Sequence, residues 1–221
     1  MKKQEQGGEI FSLIELLKSK FSSSSTRKIE LDDQFFTEAQ QFANEVLDFS
    51  YYSELEQIIS TSKIQGIIKK IDVSKNENLV ELTFLNQKLI RLNLRNNKKL
   101  ITLNVNNNQL AGLNLDQNYQ LEHINVAQNE ITGIWDIKKC SKIKFLACQN
   151  NYLNGLRVHG SFRYLLLSSG SSYLQPQKHN KEKIHPFKDI TYFGISEDQN
   201  VGVENIVQNE LPQTQILSKG S

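Results

Sequence analysis

Cysteine is scarce in this sequence: Cys140 and Cys148 are the only two in 221 residues. Two thiols can build neither a disulfide framework nor a four-cysteine zinc site, and they read as reduced thiols of a cytoplasmic protein. Long apolar runs are missing too. No stretch approaches the roughly 18 consecutive apolar residues of a membrane helix, so no membrane span is expected. Met1-Lys2-Lys3 is followed by Gln, Glu and paired Gly, and the apolar run from Ile10 to Leu17 is broken by Glu15 with no small-residue cleavage site after it. This reads against a secretory signal. Excess charge is lacking as well: 26 basic residues against 24 acidic leave a net charge of +2, whereas a nucleic-acid binder is usually more basic. There is no G-x-x-x-x-G-K-S/T, and Gly7-Gly8 follow no strand pattern, so nothing cradles phosphate. His123, His159, His179 and His185 show no metal spacing such as H-E-x-x-H. No cofactor, no metal site and no catalytic residue is expected.

What is present is a repeat. Asn76, Asn97 and Asn118 recur at a fixed interval, continued by Cys140 and Ser161, and a second series of Gln87, Asn108, Asn129 and Asn151 lies between them. The two series interleave in steps of roughly ten and eleven residues. Apolar residues precede these positions in the order L-x-x-L-x-L-x-x-N, in LITLNVNNNQL from Leu100, LEHINVAQNEI from Leu121, IKFLACQNNYL from Ile143 and the weaker LVELTFLNQKL from Leu79. Half-repeats around Leu89-Leu92-Leu94, Leu110-Leu113-Leu115 and Leu153-Leu156-Val158 fill the gaps. In a strand, alternate residues face one way, so L-x-L sends two side chains inward and one outward. An inward Asn after the strand can donate and accept together, satisfying backbone groups that the turn would otherwise bury unpaired. One coil cannot bury its own apolar edge; about five stacked coils make a continuous core.

These strings resemble the leucine-rich-repeat family, whose signature is L-x-x-L-x-L-x-x-N/C-x-L, over roughly Ile68 to Leu167. The nested ten-plus-eleven spacing is similar to the 21-residue class found mostly in bacterial proteins. The resemblance implies an α/β right-handed solenoid with a parallel β-sheet on its concave side, a binding role and a bacterial source. Gln87 in place of Asn, and a one-residue slip at Ile134-Trp135-Asp136-Ile137, depart from the pattern; a bulge is expected at Trp135.

The flanks complete the domain reading. Residues 1–26 form an amphipathic segment, Glu9 to Lys20, expected to pack on the lid, plus a flexible serine linker at Ser22–Ser25. Residues 27–66 form a helical N-terminal cap. In it, Phe35, Phe36, Ala39, Phe42, Ala43, Val46 and Leu47 share one face of a helix starting at Asp32 or Asp33, and the capping box Ser53-Glu54-Leu55-Glu56 opens a second helix through Ile58 and Ile59. Residues 67–170 hold about five coils. Residues 171–221 give a cap strand at Ile190–Ile195 and a polar tail carrying a Lys178–Lys188 basic cluster.

The expected function is non-catalytic recognition of a protein partner through the concave sheet. Strand parity turns outward Glu81, Thr83 and Leu85; Thr102, Asn104 and Asn106; His123, Asn125 and Ala127; and Phe145, Ala147 and Gln149. Of these, Glu81, Thr83, Leu85, Thr102, Asn104, Asn106, His123, Asn125, Phe145 and Gln149 are the candidate partner-binding residues, with Leu85 and Phe145 as anchors. Cys148 falls on an inward leucine position and Cys140 on an asparagine position, which makes both structural. The basic residues Arg91, Arg95, Lys98 and Lys99 read as solvated surface rather than a nucleic-acid site. An effector delivered into a host cell, or an enzyme with a pocket between the cap and the first coil, are the alternatives.

Overall fold

The computed structural model of the chain describes residues 12–157, except 43, 61 and 65, and the backbone of 164–166. Expectations for Gly7-Gly8, Ile10, Phe11, Ala43, Val158, His159, Ser161, the basic cluster, the strand at 190–195 and the tail lie outside these residues.

The strands follow the alternation of the sequence. β1 (Lys28–Leu31), β3 (Gln57–Ser60), β5 (Glu81–Thr83), β6 (Thr102–Asn104), β7 (His123–Asn125), β9 (Phe145–Ala147) and β11 (Tyr164–Leu166) form one seven-stranded sheet in that order, each pair parallel. Register places Ile29, Ile58, Leu82, Leu103, Ile124 and Leu146 in a single column, none more than 1% exposed. Consecutive members of this column lie 29, 24, 21, 21 and 22 residues apart. The chain therefore winds once per repeat and lays each strand beside the last. On the opposite side run two short parallel pairs, β2 (Leu47–Asp48) with β4 (Ile71–Asp72), and β8 (Thr132–Asp136) with β10 (Tyr152–Arg157). Between them, extended segments carry Leu89, Leu94, Leu110, Leu113 and Leu115 into the core. One hydrophobic cluster runs from Leu13 to Leu156. The fold is a parallel-strand solenoid, closed at its N-terminal end by helices.

Two ladders satisfy the turns, and they work differently. In the first, the Nδ2 of Asn97 donates to Val73 O and Asn76 O, and that of Asn118 to Leu94 O and Asn97 O, at 2.9–3.0 Å. Asn76 begins the ladder on Phe49 O and Tyr52 O. Only the donor is used: the Oδ1 of all three is buried without a partner. Cys140 keeps that function with a thiol donating to Leu115 O at 3.6 Å. In the second ladder both ends of the amide are engaged. Asn129 Nδ2 donates to Val105 O and Val126 O while its Oδ1 accepts from Leu110 N at 3.0 Å. Asn108 and Asn151 repeat this with Leu89 N and Ile131 N. Gln87 starts the series half-satisfied, accepting from Ile68 N at 3.4 Å with its Nε2 unpartnered. Its extra methylene is accommodated by Gly66 one coil back, where a Cβ would lie 2.0 Å from Gln87 Oε1 and 2.5 Å from its Cα. After the strands, Asn86, Asn107, Gln128 and Asn150 all take the left-handed conformation, with φ of 54–57°, a conformation that Asn tolerates better than most residues.

The N-terminal end differs from the sequence expectation in several respects. α1 (Leu13–Lys20), capped by Ser12, buries Leu13, Leu16 and Leu17 and contacts β2 and α2 (Asp33–Ala39), so the amphipathic segment does pack on the cap. Tyr52 Oη anchors its end on Phe21 O, and burial pushes that phenol up to about 12. Asp32 is the N-cap of α2, accepting from Phe35 N at 2.9 Å. The helix is shorter than its apolar spacing suggests: after one 3-10 turn at Gln40–Phe42 the chain leaves the helical path, Val46 is exposed and Leu47 belongs to β2. The expected second helix is absent. Ser53–Glu56 leads instead into β3, because Ile58 gains a place between Ile29 and Leu82 in the buried column, and this outweighs a local capping preference. Ser23–Thr26 is a bonded turn, with Thr26 Oγ1 donating to Ser23 O at 2.6 Å, rather than a free linker. The bulge falls between Leu153 and Gly155 of β10, not at Trp135. Opposite it on β8, Gly133 pairs with Leu153 and takes φ 72°. This turns Ile134 outward and Trp135 inward, with its Nε1 donating to Leu113 O at 2.8 Å.

Asp33 ties the cap to the first long coil. Its Oδ1 accepts from Ser62 Oγ at 2.6 Å, Lys63 N at 2.8 Å and Ile64 N at 3.4 Å. Chiefly because of the Ser62 bond, its carboxyl is held below the ordinary value of 3.8. A depressed folded-state value contributes stability that is fully present above 3.8 and is lost as pH falls through the lower folded value. Asp33→Asn is therefore expected to lower the unfolding midpoint at neutral pH and to flatten the acid limb of a stability profile followed by circular dichroism. An unchanged acid limb would show that these bonds do not hold the cap.

Candidate functional site

Register converts the sheet into columns of outward side chains. One runs Lys28, Gln57, Glu81, Thr102, His123, Phe145; the next runs Glu30, Ile59, Thr83, Asn104, Asn125, Ala147. Every predicted strand residue among them is on this one face. Lys28 and Glu30 are exposed and form an ion pair at 2.5 Å. Glu81 is held by Gln57 Nε2 at 3.1 Å and Thr83 Oγ1 at 3.4 Å. Asn104 Oδ1 accepts from Asn106 N at 3.4 Å, and Asn125 Oδ1 from Ala127 N at 3.1 Å, so each outward amide closes the turn after its own strand. Leu85, Asn106 and Gln149 follow the strands and are half-buried. Two oxygens there, Asn106 Oδ1 and Gln149 Oε1, are buried and receive no hydrogen bond.

Phe145 corrects the sequence reading. It occupies the outward column as parity requires, yet it is only 4% exposed, and Ala147 and Ala127 are buried beside it. Parity fixes the direction of a side chain, not whether something lies over it. Phe145 is not an accessible anchor, and the accessible part of the face is centred on β3 to β7. Gln57 and Ile59 were missed because Ser53–Glu56 resembled a helix start; the L-x-x-L spacing of Leu55 and Ile58 was the signal for a strand.

Neither thiol is suited to nucleophilic chemistry. Burial pushes Cys148 up to about 12 and Cys140 up to about 11, so the reactive thiolate is suppressed at both, and neither is in a disulfide. Among the described residues, no three His, Cys, Asp or Glu side chains gather as a metal site would require, and no helix is long and apolar enough to cross a membrane.

Through the coils of β5, β6 and β7, inward apolar residues, turn amides on two ladders and outward polar columns follow one another. The architecture is that of a leucine-rich repeat. No family model matches the sequence, and no curated protein matches it. Two solved structures are similar over part of the chain. The functional domain of InlJ from Listeria monocytogenes, which includes a cysteine ladder, shares 30% identity with a TM-score of 0.48, covering 54% of this chain and 26% of that one. An internalin (inlF) from Listeria monocytogenes str. 4b F2365 shares 18% identity with a TM-score of 0.37, covering 67% of this chain and 57% of that one. The chain thus spans about a quarter of the first and little more than half of the second.

Proposed function

We propose that the chain is a non-catalytic module that binds a protein partner through the outward face of β3 to β7. The observation that carries this reading is the pair of outward columns. Gln57, Glu81, Thr102 and His123, beside Thr83, Asn104 and Asn125, present polar side chains at the strand repeat, with Ile59 as the one apolar member, on a sheet whose opposite face is buried. The spacing of neighbouring strands, roughly 4.8 Å, keeps such a surface rigid and regular, so little ordering cost attends association.

Affinity capture with the full chain as bait, read by mass spectrometry, tests the reading with matched variants. Thr102→Arg places a large cation in the middle of the face; Thr132→Arg makes the same change on β8, on the other side of the coil. Partners retained by the parent and by Thr132→Arg, and lost by Thr102→Arg, are expected. Partners that survive Thr102→Arg and disappear with Thr132→Arg would move the site off the sheet.

A further inference from the structure

The side of the solenoid away from the seven-stranded sheet carries an uneven charge. Between residues 69 and 99 there are eight Lys and Arg against three Asp and Glu, an excess of five. One of those acids, Glu81, lies on the sheet face. Backbone and side-chain bonds stack the two coils of this segment: Ile90 N donates to Lys69 O, and Asn96 Nδ2 donates to Ser74 O. Lys69, Lys70 and Lys75 on one coil are thereby set beside Arg91, Arg95 and Lys98 on the next. All are exposed, and none is in an ion pair among the described residues. Elsewhere the solenoid pairs its cations across coils, as in Lys139 with Asp116 and Lys144 with Glu122.

A groove of about 210 Å³ borders these cations, lined by Leu92, Asn93, Arg95, Asn114, Asp116 and Gln117. Its one acid, Asp116, is offset by Lys139 at 3.4 Å. The Oδ1 atoms of Asn93 and Asn114 are occupied by Arg95 N and Asp116 N, which leaves their Nδ2 hydrogens without a bond among the described residues. Half-buried Leu92 supplies an apolar floor. The groove therefore offers amide donors, an unpaired guanidinium and an apolar contact, a set complementary to a carboxylate side chain on a peptide rather than to stacked bases. No aromatic platform lines it, whereas single-stranded nucleic acid is usually held by base stacking on aromatic side chains.

We propose that this second surface, centred on Arg91, Arg95 and the groove at Asn93 and Asn114, docks an acidic segment of a protein partner, independently of the sheet face. The test is fluorescence anisotropy of the full chain with a labelled glutamate-rich peptide, beside a labelled single-stranded oligonucleotide of equal charge. Peptide binding that weakens with added salt, falls about tenfold in Arg91→Glu/Arg95→Glu and is unaffected by Thr102→Arg supports the surface. The double variant should melt like the parent, since both side chains are exposed. Absence of peptide binding, indifference to the double reversal, or tighter binding of the oligonucleotide would each overturn it. Loss of binding in Thr102→Arg would instead assign the peptide to the sheet face.

Discussion

Phe36→Ala is expected to cost roughly 3–5 kcal/mol, the range for deleting a fully buried aromatic side chain whose cavity cannot close. Phe36 is 0% exposed and packs edge-on against Phe35 at 5.4 Å and Phe84 at 6.1 Å between ring centroids. The second contact is unusual in its reach, because α2 follows β1, while Phe84 follows β5 and the β3 coil lies between them. It is possible because the β3 coil carries Ser60 where later coils carry Phe84, Val105, Val126 and Cys148. The small side chain leaves the space that Phe36 fills, and its hydroxyl is buried with no partner. This makes the cap part of the core rather than a cover laid over it. Ser60→Val should destabilise the parent by roughly 1–3 kcal/mol through overpacking. In the Phe36→Ala background the same change should recover part of the loss by filling the cavity. Urea unfolding of the four proteins measures the coupling. A Phe36→Ala cost below about 1 kcal/mol, or additive effects of the two changes, would show that the helix does not plug the first coils.

The same stretch shows where sequence pattern suffices and where it does not. From Leu79 to Leu121 the coils are 21 residues long, both ladders carry amides, and period, inward column and turn residues agree; that part of the fold is legible without coordinates. Toward the N-terminus the steps lengthen to 24 and 29 residues, Tyr52 and Gly66 stand where a ladder residue would, and α2 occupies the extra length. Without a constant period, β1 and β3 had no signature, and local signals such as Ser53–Glu56 prevailed in the reading though not in the fold. The candidate face was legible in direction, because parity alone sets it. Its accessible extent was not: burial of Phe145 and Ala147 is decided by what packs over a strand, which no two-residue period encodes.

Asn129→Ala is expected to cost roughly 2–4 kcal/mol, and Asn118→Ala roughly half as much, although both amides are buried and sit at equivalent turns. The difference lies in what each leaves behind. Losing Asn118 removes one donor from Leu94 O and one from Asn97 O, but these carbonyls keep the backbone N–H of Asn97 and Leu100. Losing Asn129 likewise leaves Val105 O with Asn108 Nδ2 and Val126 O with Asn151 Nδ2. It also strips Leu110 N of the Oδ1 it donates to at 3.0 Å, in a residue that is 0% exposed. A buried amide hydrogen with no acceptor is rarer and more costly than a carbonyl reduced from two donors to one. The distinction also explains why cysteine stands at position 140 and amides alone at 87, 108, 129 and 151. A thiol can donate to one of the two carbonyls that an amide of the first ladder reaches, and both keep a backbone N–H, but it is a weak acceptor for the N–H that the second ladder must satisfy. Asn118→Cys should therefore melt close to the parent, and Asn129→Cys should lose nearly as much as Asn129→Ala. Thermal and urea unfolding of the four variants decide the matter: equal costs at the two positions, or a cysteine tolerated at 129 as well as at 118, would remove the division between a donor ladder and a donor-and-acceptor ladder.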